Sequence, residues 1–348
     1  MSTTSPPLKK RVLSGMRPTG KLHLGNYMGA LANWVRLQHD YECYFFIADW
    51  HALTTDYADT SLLPQNTREV ALDWLAAGLD PQKSTLFIQS TVEQHASLHL
   101  LFSMITPLGW LERVPTYKEQ MENLSGKDLT TYGFLGYPLL QSADILLYQA
   151  DFVPVGQDQV AHVELTREVA RRFNQFYKKI SPAGSEPVEI FPEPQALLTP
   201  SPKLPGTDGR KMSKSYGNTI MLSDPEPEIR RKLKPMVTDP ARVRRTDTGN
   251  PDRCPVFDLH KVFSSDEKQA EARVGCTTAS IGCIECKGWL ADAVVAKLAP
   301  MQERREHYAQ GNLVDDILED GRKRATQRAR TTMAEVRSAV GLPPEARA

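Results

Sequence analysis

Two short segments, far apart in the chain, carry side chains suited to binding phosphate groups. The first runs from Gly15 to Tyr27 and contains His23 and Asn26, which one helical turn would place on the same face. Both side chains can donate hydrogen bonds to phosphate oxygens, and Gly25 would let a nucleotide approach the backbone closely. Because the segment has neither the GxxxxGK[ST] nor the GxGxxG spacing, the two folds that use them are disfavoured. Taken alone, it fits an anion site or a plain turn before a polar helix start.

The second segment is Lys211-Met212-Ser213-Lys214-Ser215, which follows a proline-rich stretch. Lys211 and Lys214 are three residues apart, with a hydroxyl between them and glycine before them. Such a loop is flexible and cationic, and it attracts phosphate oxygens. Without the first segment, a solvated surface loop would explain it equally well.

A third group of polar residues lies in an otherwise apolar helical pattern. Tyr137, Gln141 and Asp144 are spaced i, i+4, i+7 and so fall on one helix face. A carboxylate facing an apolar pocket is costly unless it meets a donor, such as an indole N–H or a phenol O–H. The spacing predicts either an amino-acid pocket or the solvent-facing stripe of an amphipathic helix.

Four of the five cysteines fall close together in the last third of the chain. Cys254, Cys276, Cys283 and Cys286 have the spacing C-x21-C-x6-C-x2-C. Zinc ribbons usually contain two close pairs, and only the last two cysteines are close here. Four thiolates can also hold a [4Fe–4S] cluster, and four reduced structural thiols are the third reading.

The order of apolar runs predicts an α/β fold with a doubly wound parallel sheet. Predicted strands alternate with helices near 26–38, 65–77, 94–105, 134–148 and 159–177. The strands are Arg11–Ser14, Cys43–Ala48, Thr85–Gln89 and Phe152–Val155. We divide the chain into a disordered tail (1–10), a catalytic domain (11–200), a phosphate-binding loop (201–222) and a helical domain (223–348).

The amino-acid composition restricts the possible classes of protein but does not indicate a function. The 348 residues are 41% apolar and 24% charged with zero formal net charge, so a nucleic-acid partner would need a local basic patch. No apolar run reaches the roughly 18 residues of a membrane span, and the polar start contains no signal sequence. We therefore expect a cytoplasmic protein whose cysteines are reduced.

The two phosphate-seeking segments together carry a definite family resemblance. His23-Leu24-Gly25-Asn26 resembles the HIGH motif of class I aminoacyl-tRNA synthetases, and Lys211–Ser215 spells their KMSKS motif in full, in the family's order. Asn26 replaces the second histidine, a change that the tryptophanyl branch tolerates. The resemblance implies a Rossmann-like catalytic domain that joins an amino acid to tRNA through an adenylate, using ATP and Mg²⁺.

The resemblance also assigns roles at the ATP site. Catalysis would depend on Lys211, Lys214, His23 and Asn26, which surround the phosphates in the transition state. The remaining ATP-binding positions would be Arg17, Thr19, Gly20, Gly25, Gly156, Asp158, Met212 and Ser213.

Four further stretches are similar to the tryptophanyl branch, and the likeness covers nearly the whole chain. They are 14–20, 137–148, 154–159 and 162–167. Carried over, Asp144 accepts the indole N–H, and Tyr137 and Gln159 hold the α-amino group; Gln141 and His51 complete the tryptophan site. Gln141 and Gln157 depart from the residues that many of these enzymes have, methionine and glutamate. Since the tyrosine enzymes also use Tyr, Gln and Asp at this spacing, tyrosine is the second candidate substrate.

The remaining expectations concern the C-terminal region and its partners. A subset of bacterial tryptophanyl enzymes has a similar cysteine motif with an iron–sulfur cluster, which ranks that reading first, empty thiols second and zinc third. The resemblance further implies a homodimer and an anticodon-binding helical domain for tRNA(Trp). Six basic residues near the end could meet tRNA phosphates or form a solvated face: Arg322, Lys323, Arg324, Arg328, Arg330 and Arg337.

Two other classes of protein compete with the synthetase reading. A nucleotidylyltransferase of the same superfamily would share the first motif but needs no long region after Ser215. A synthetase-like RNA-binding or regulatory protein would have damaged motifs, whereas His23, Asn26, Lys211 and Lys214 are all present.

Overall fold

The computed structural model describes residues 9–115, 117, 129–177, 189–198 and 204–346. Within these ranges five strands form one sheet in the order β3-β2-β1-β4-β5, and every neighbouring pair is parallel. The strands are β1 (Arg11–Met16), β2 (Glu42–Ile47), β3 (Ser84–Ile88), β4 (Phe152–Val155) and β5 (Gln195–Leu198). The predicted doubly wound α/β fold is confirmed.

The strand order creates the crevice in which ligands of such sheets bind. From central β1 the chain runs outward through β2 and β3, then returns to the other side of β1 as β4 and β5. The order therefore reverses between β1 and β4, and the carboxyl ends of those strands border the crevice. They end at Met16 and Val155.

All four predicted strands exist, and β5 was missed. β5 has only four residues, is partly exposed along its length, and follows Pro192 and Pro194 in a stretch that composition marks as a linker. Residues 181–188 and 199–203 of that proline-rich stretch, and most of the predicted disordered tail, lie outside the described residues.

Helices pack on both faces of the sheet and make up the C-terminal region, as the sequence predicts. In chain order they are α1 (Leu24–Asn26), a π-helical turn (Tyr27–Leu31), α2 (Ala32–Leu37), α3 (Asp49–Asp56), α4 (Leu63–Ala77), α5 (Gln94–Ser103), α6 (Leu108–Glu112), α7 (Tyr132–Leu147), α8 (Val160–Phe176), α9 (Glu226–Leu233), α10 (Pro255–Phe263), α11 (Asp266–Thr277), α12 (Cys283–Tyr308) and α13 (Leu313–Ala339). None of these described helices is long and apolar enough to cross a membrane.

Side chains of the central strands alternate between two hydrophobic cores. In β2, Cys43 and Phe45 face one core, whereas Tyr44 and Phe46 face the other. The first core continues into the C-terminal helices, where it includes Leu290 of α12. The C-terminal helices are therefore packed onto the catalytic sheet through shared apolar contacts.

The last long helix covers an edge of the sheet. α13 packs along β3, the outermost strand on its side, and its Gly321 lies directly against the backbone of Leu86. A methyl group at position 321 would stand 1.7 Å from the Leu86 carbonyl oxygen. Close packing of helix and strand backbones thus requires glycine here.

We expect Gly321→Ala to lower the free energy of unfolding by about 3 kcal/mol or more, because backbone atoms cannot yield to the added methyl group. Urea unfolding measures this. Gly288→Ala in α12, where a Cβ meets no atom within 4 Å, is the control and should be neutral or stabilising by about 0.5–1 kcal/mol. Equal stability of the two variants would contradict this packing.

Candidate active site

The first phosphate-seeking segment forms a capped helix start directly after β1. His23 is the N-cap of α1: its Nδ1 accepts the Asn26 N–H at 3.3 Å, and the Asn26 Oδ1 accepts the His23 N–H at 3.1 Å. This reciprocal capping places both side chains on one side of the turn, as the spacing predicts. It leaves the His23 Nε2 and the Asn26 amide group to face a ligand.

The protonation state of His23 follows from its surroundings. Burial, with the nearby charges of Lys214 and Lys211, lowers the pKa of His23 to about 4. The ring is therefore neutral at neutral pH. Since Nδ1 accepts a hydrogen bond, the proton resides on Nε2, which can donate to a phosphate oxygen.

The lowered pKa makes the fold sensitive to acid. Between pH 6.5 and about 4 the unfolded chain binds a proton at His23 that the native protein does not, so stability falls as the pH falls. At about pH 5 the loss from this residue is about 2 kcal/mol. We expect His23→Asn to lose less stability than the wild type between about pH 7.5 and about pH 5 in urea unfolding. An identical loss in both proteins would contradict this charge state.

The second segment lies against the first, and the chain that follows it is joined to the first segment by backbone hydrogen bonds. The Leu24 N–H donates to the Ile220 carbonyl and the Leu222 N–H to the Leu22 carbonyl, both at 2.9 Å. Lys214 connects the second segment directly to the first, because its Nζ donates to the Thr19 carbonyl at 2.7 Å. Burial lowers the pKa of Lys214. The structure thus brings the two segments together into one site.

Other predicted ATP residues support this junction. Gly25 lies where a Cβ would stand 2.8 Å from the His23 ring and 3.7 Å from the Met212 Cβ. Gly20 has a φ of +88°, a conformation that favours glycine. The Ser213 N–H donates to the Asn218 Oδ1 at 2.8 Å, which shapes the loop after Lys211.

Gly156 and Asp158 lie on the opposite side of the crevice. Gly156 directly follows β4, and Asp158 belongs to the short 3-10 turn that comes next. A Cβ at position 156 would stand 2.7 Å from the Asp158 Oδ1. Both residues are at the carboxyl end of a strand beside the reversal of strand order, where a nucleotide binds in such sheets.

Arg17 contacts helix α3. Its Nη2 donates to the Asp56 Oδ2 at 3.0 Å and also to the Thr55 hydroxyl. Burial lowers the pKa of Arg17, and the Asp56 charge opposes that effect. Arg17 therefore borders the crevice, but its guanidinium is paired with Asp56 and is not directed at the position of a phosphate.

A cavity of about 230 Å³ opens beside these segments and contains all five predicted tryptophan-binding residues. They are His51, Tyr137, Gln141, Asp144 and Gln159. Phe46, Ala48 and Gly15 form apolar parts of the wall, and Arg17, Thr54 and His162 complete it. The spacing of the residues on α7 therefore reflects a pocket, and not a solvent-facing stripe.

Asp144 is fully buried and already holds several hydrogen bonds. Its Oδ2 accepts from the His51 Nε2 at 2.9 Å, and its Oδ1 lies 2.6 Å from the His95 Nδ1. Gln89 donates to both oxygens, at 2.8 and 2.9 Å. Burial alone would raise the pKa of Asp144, but the bonds with His51 and His95 outweigh it and hold the pKa below its ordinary value. Asp144 is therefore a carboxylate.

Sequence reasoning missed the residues behind Asp144. Gln89 and His95 are completely buried, and the His95 Nε2 lies 2.9 Å from the Tyr148 hydroxyl. Gln89 directly follows β3, so the rule that sites form at the carboxyl ends of strands would have found it. No local pattern marks His95, because only the fold brings it to Asp144.

The four C-terminal cysteines come from the ends of three helices. Cys254 precedes α10, Cys276 lies near the end of α11, and Cys283 and Cys286 begin α12. Burial, with the charges of the other three thiols, raises the pKa of Cys286 to about 12. The Arg242 Nη1 lies 3.8 Å from the Cys276 Sγ. Among the described residues, no three His, Cys, Asp or Glu side chains are arranged to hold a single metal ion.

The basic residues near the C-terminus are engaged within the molecule. Arg324 donates to the carbonyls of Pro81 and Ser84, and Arg328 donates to the Gln149 side chain. The other four pair with Glu319, Glu345 or the Pro343 carbonyl. These contacts favour the interpretation that the six basic residues stabilise the fold or form a solvated face, over the one in which they form an open patch for tRNA phosphates.

Comparison with known proteins gives a consistent result. Residues 8–299 match the family described as tRNA synthetases class I (W and Y). A tryptophan–tRNA ligase from Thermotoga maritima is 55% identical, over 95% of this chain and 99% of its own. One from Ralstonia nicotianae is 48% identical, over 96% and 98%. The crystal structure of tryptophanyl-tRNA synthetase from Campylobacter jejuni, complexed with ADP and tryptophan, superimposes with a TM-score of 0.85 at 33% identity, over 95% of this chain and 100% of that one.

The fold, the paired segments and these matches define an ATP-using ligase of the class I aminoacyl-tRNA synthetases. Within that class, the chain belongs to the family of tryptophan–tRNA ligases. The nucleotidylyltransferase reading is thereby excluded.

Proposed function

We propose that the cavity beside the joined segments activates L-tryptophan with ATP and passes it to the 3′ end of tRNA(Trp). One observation carries this assignment: residues predicted for ATP and for tryptophan, from five separate parts of the chain, border one crevice at the reversal of strand order. In vitro charging of tRNA(Trp) with tryptophan tests it.

The reaction needs alignment more than a protein nucleophile. The tryptophan carboxylate attacks the α-phosphate of ATP, the bond to the β-phosphate breaks, and pyrophosphate leaves. Lys214 and Lys211 stabilise the charge that develops on the leaving phosphates, because they lie on the loop that closes over Thr19. His23, through Nε2–H, and Asn26, through its amide, donate from the opposite side. A ribose hydroxyl of the tRNA then attacks the adenylate carbonyl and releases AMP.

Mg²⁺ fits this site as a companion of the nucleotide. It prefers phosphate oxygens and water to an all-protein cage, and the protein side chains nearest the phosphates are cationic or neutral. When bound, Mg²⁺ would neutralise phosphate charge, while Lys211 and Lys214 stabilise the charge that develops on the leaving phosphates.

Tryptophan is selected through Asp144. The indole N–H would meet the Oδ2 side, where His51, a pocket residue, is its present donor. Tyr137 and Gln159 would hold the α-amino group, and Gln141 lies between Tyr137 and Asp144 along α7. The buried donors His95 and Gln89 keep the carboxylate ionised and fixed in orientation.

We assign the remaining partners on the same family basis. The helical region 223–348 would bind the anticodon, and two copies would associate through their catalytic domains. Leu100 of α5, Met104 directly after it and Leu108 of α6 are exposed apolar side chains suited to such a contact. Light scattering of the purified protein should give the mass of a dimer; a monomer would contradict this. A cytoplasmic location stays a prediction.

We infer that the four cysteines hold an iron–sulfur cluster. The charges of the other three thiols act with burial to raise the pKa of Cys286, although no three of the described His, Cys, Asp or Glu side chains are arranged to hold a single metal ion. A [4Fe–4S] cluster places iron and sulfide between its thiolates and needs more room. Cys254, Cys276, Cys283 and Cys286 would hold it, and its contribution would be structural, since adenylate chemistry has no redox step.

Metal analysis of anaerobically purified protein tests the cluster. We expect about four iron and four sulfide per chain, and their loss in the double variant Cys283→Ser/Cys286→Ser. Cys43→Ser, which removes a buried cysteine of β2, is the control and should keep them. Zinc alone, or no metal, would contradict the proposal.

A further inference from the structure

A buried ion pair joins the C-terminal helices to the first phosphate-binding segment. Asp73 of α4 is completely buried, and its Oδ2 accepts the Leu22 N–H at 2.6 Å. Its Oδ1 accepts from Arg305 of α12, which also donates to Glu69. Asp73 therefore connects a backbone group of the segment to a cation of the C-terminal region.

The Leu22 N–H, which Asp73 accepts, lies beside His23 in the proposed ATP site. Leu22 directly precedes His23, and its carbonyl accepts the N–H of Leu222, which lies in the chain that follows the second phosphate-binding segment. On its N–H side Leu22 is held by Asp73, and on its carbonyl side by the chain that follows the second segment. A shift of Leu22 would move His23 and the junction together.

We propose that Asp73 and Arg305 are a positioning pair, through which helix α12 fixes the first phosphate-binding segment relative to the second. Neither side chain is among the residues that line the tryptophan cavity. Their effect on catalysis is to hold Leu22, and with it the capped turn at His23, in the geometry that receives ATP.

Stability alone does not explain the pair. Buried ion pairs are often replaced by apolar residues of similar size without loss of stability. An apolar pair, however, offers no acceptor to the Leu22 N–H. The charge of Asp73 also acts on Lys214, whose pKa it raises against the effect of burial.

Two residues just before Arg305 reinforce the attachment of α12. The Arg304 Nε donates to the Ala76 carbonyl at the end of α4, and the Gln302 side chain donates to the Asp224 carbonyl, both at 2.7 Å. The C-terminal turns of α12 are thus bonded both to α4 and to the chain that follows the second segment. Arg305 is the member of this set that reaches a buried carboxylate.

Matched variants separate positioning from stability. We would measure tryptophan-dependent ATP–pyrophosphate exchange and urea unfolding for Asp73→Leu, Arg305→Met and the double variant. We expect each single change to lower stability, because Arg305→Met leaves the buried Asp73 carboxylate without its cation and Asp73→Leu leaves the Leu22 N–H without its acceptor. The double variant should regain most of that stability while its exchange kcat stays at least about tenfold below wild type, with the KM for tryptophan nearly unchanged.

Recovery of both stability and kcat in the double variant would overturn the proposal. If the double variant does not fold, Arg305→Lys decides: it keeps a cation for Asp73 and should exchange faster than Arg305→Met, whereas equal rates would overturn the proposal. Glu228→Gln, which breaks an exposed ion pair with Arg231, is the control. The inference rests on the proposed ATP site, and wild-type exchange tests that site separately: absent exchange there defeats the function itself.

Discussion

Replacing Lys214 with alanine is expected to slow adenylate formation at least ~100-fold, which corresponds to about 2.7 kcal/mol of lost transition-state stabilisation. The Lys214 Nζ already lies at the first phosphate-binding segment, 2.7 Å from the Thr19 carbonyl, so ATP would meet it without rearrangement of the loop. Charge builds on the leaving phosphates only as the reaction proceeds. The loss should therefore fall on kcat more than on the KM for tryptophan. Rapid-quench measurement of a single turnover isolates this step.

The control for this change is Lys261→Ala, which removes an exposed lysine paired with Asp258 in α10. It should leave the single-turnover rate unchanged. Near-normal ATP–pyrophosphate exchange in Lys214→Ala would show that the loop does not perform the chemistry assigned to it.

The second large effect is expected from Asp144→Asn, which should lower kcat/KM for tryptophan about 100-fold. In the wild type, His51, His95 and Gln89 donate to the Asp144 carboxylate. Asparagine has the same shape, but its N–H2 group would face these donors and cannot accept their hydrogen bonds. The indole N–H loses its charged acceptor, and the donors lose a shared one. Exchange kinetics over a range of tryptophan concentrations measure the change.

Ser142→Ala is the matched control, since Ser142 is buried on the same helix and bonds to Thr166 and the Pro138 carbonyl. It removes a buried hydroxyl outside the cavity and should change kcat/KM little. Tyr148→Phe should have an intermediate effect, because it removes the hydroxyl that contacts His95. Unchanged tryptophan kinetics in Asp144→Asn would exclude Asp144 from indole recognition.

Sequence patterns predicted the fold where each element has a strong local signal. Strands with continuous apolar runs, such as Cys43–Ala48, appeared within a residue or two of their predicted bounds. β5 was missed because a short edge strand buries few side chains and here follows prolines. The π-helical turn at Tyr27–Leu31 was also beyond prediction, since it arises from how the chain packs after the capped turn.

The candidate site shows the same contrast. His23, Asn26 and Lys214 were predicted as site residues because each belongs to a short motif of consecutive residues. Gln89, His95 and Arg305 were not, because each acts on a residue far along the chain and has no local pattern. For the basic residues of α13 the local pattern left two readings open, and the structure favours contacts within the molecule over a tRNA surface.

The most direct test of the account compares L-tryptophan with L-tyrosine in ATP–pyrophosphate exchange by the wild-type protein, followed by charging of tRNA(Trp). We expect exchange with tryptophan, at most a trace with tyrosine, and transfer of tryptophan to the tRNA. Exchange that depends on tyrosine alone, or no exchange with either amino acid, would contradict it.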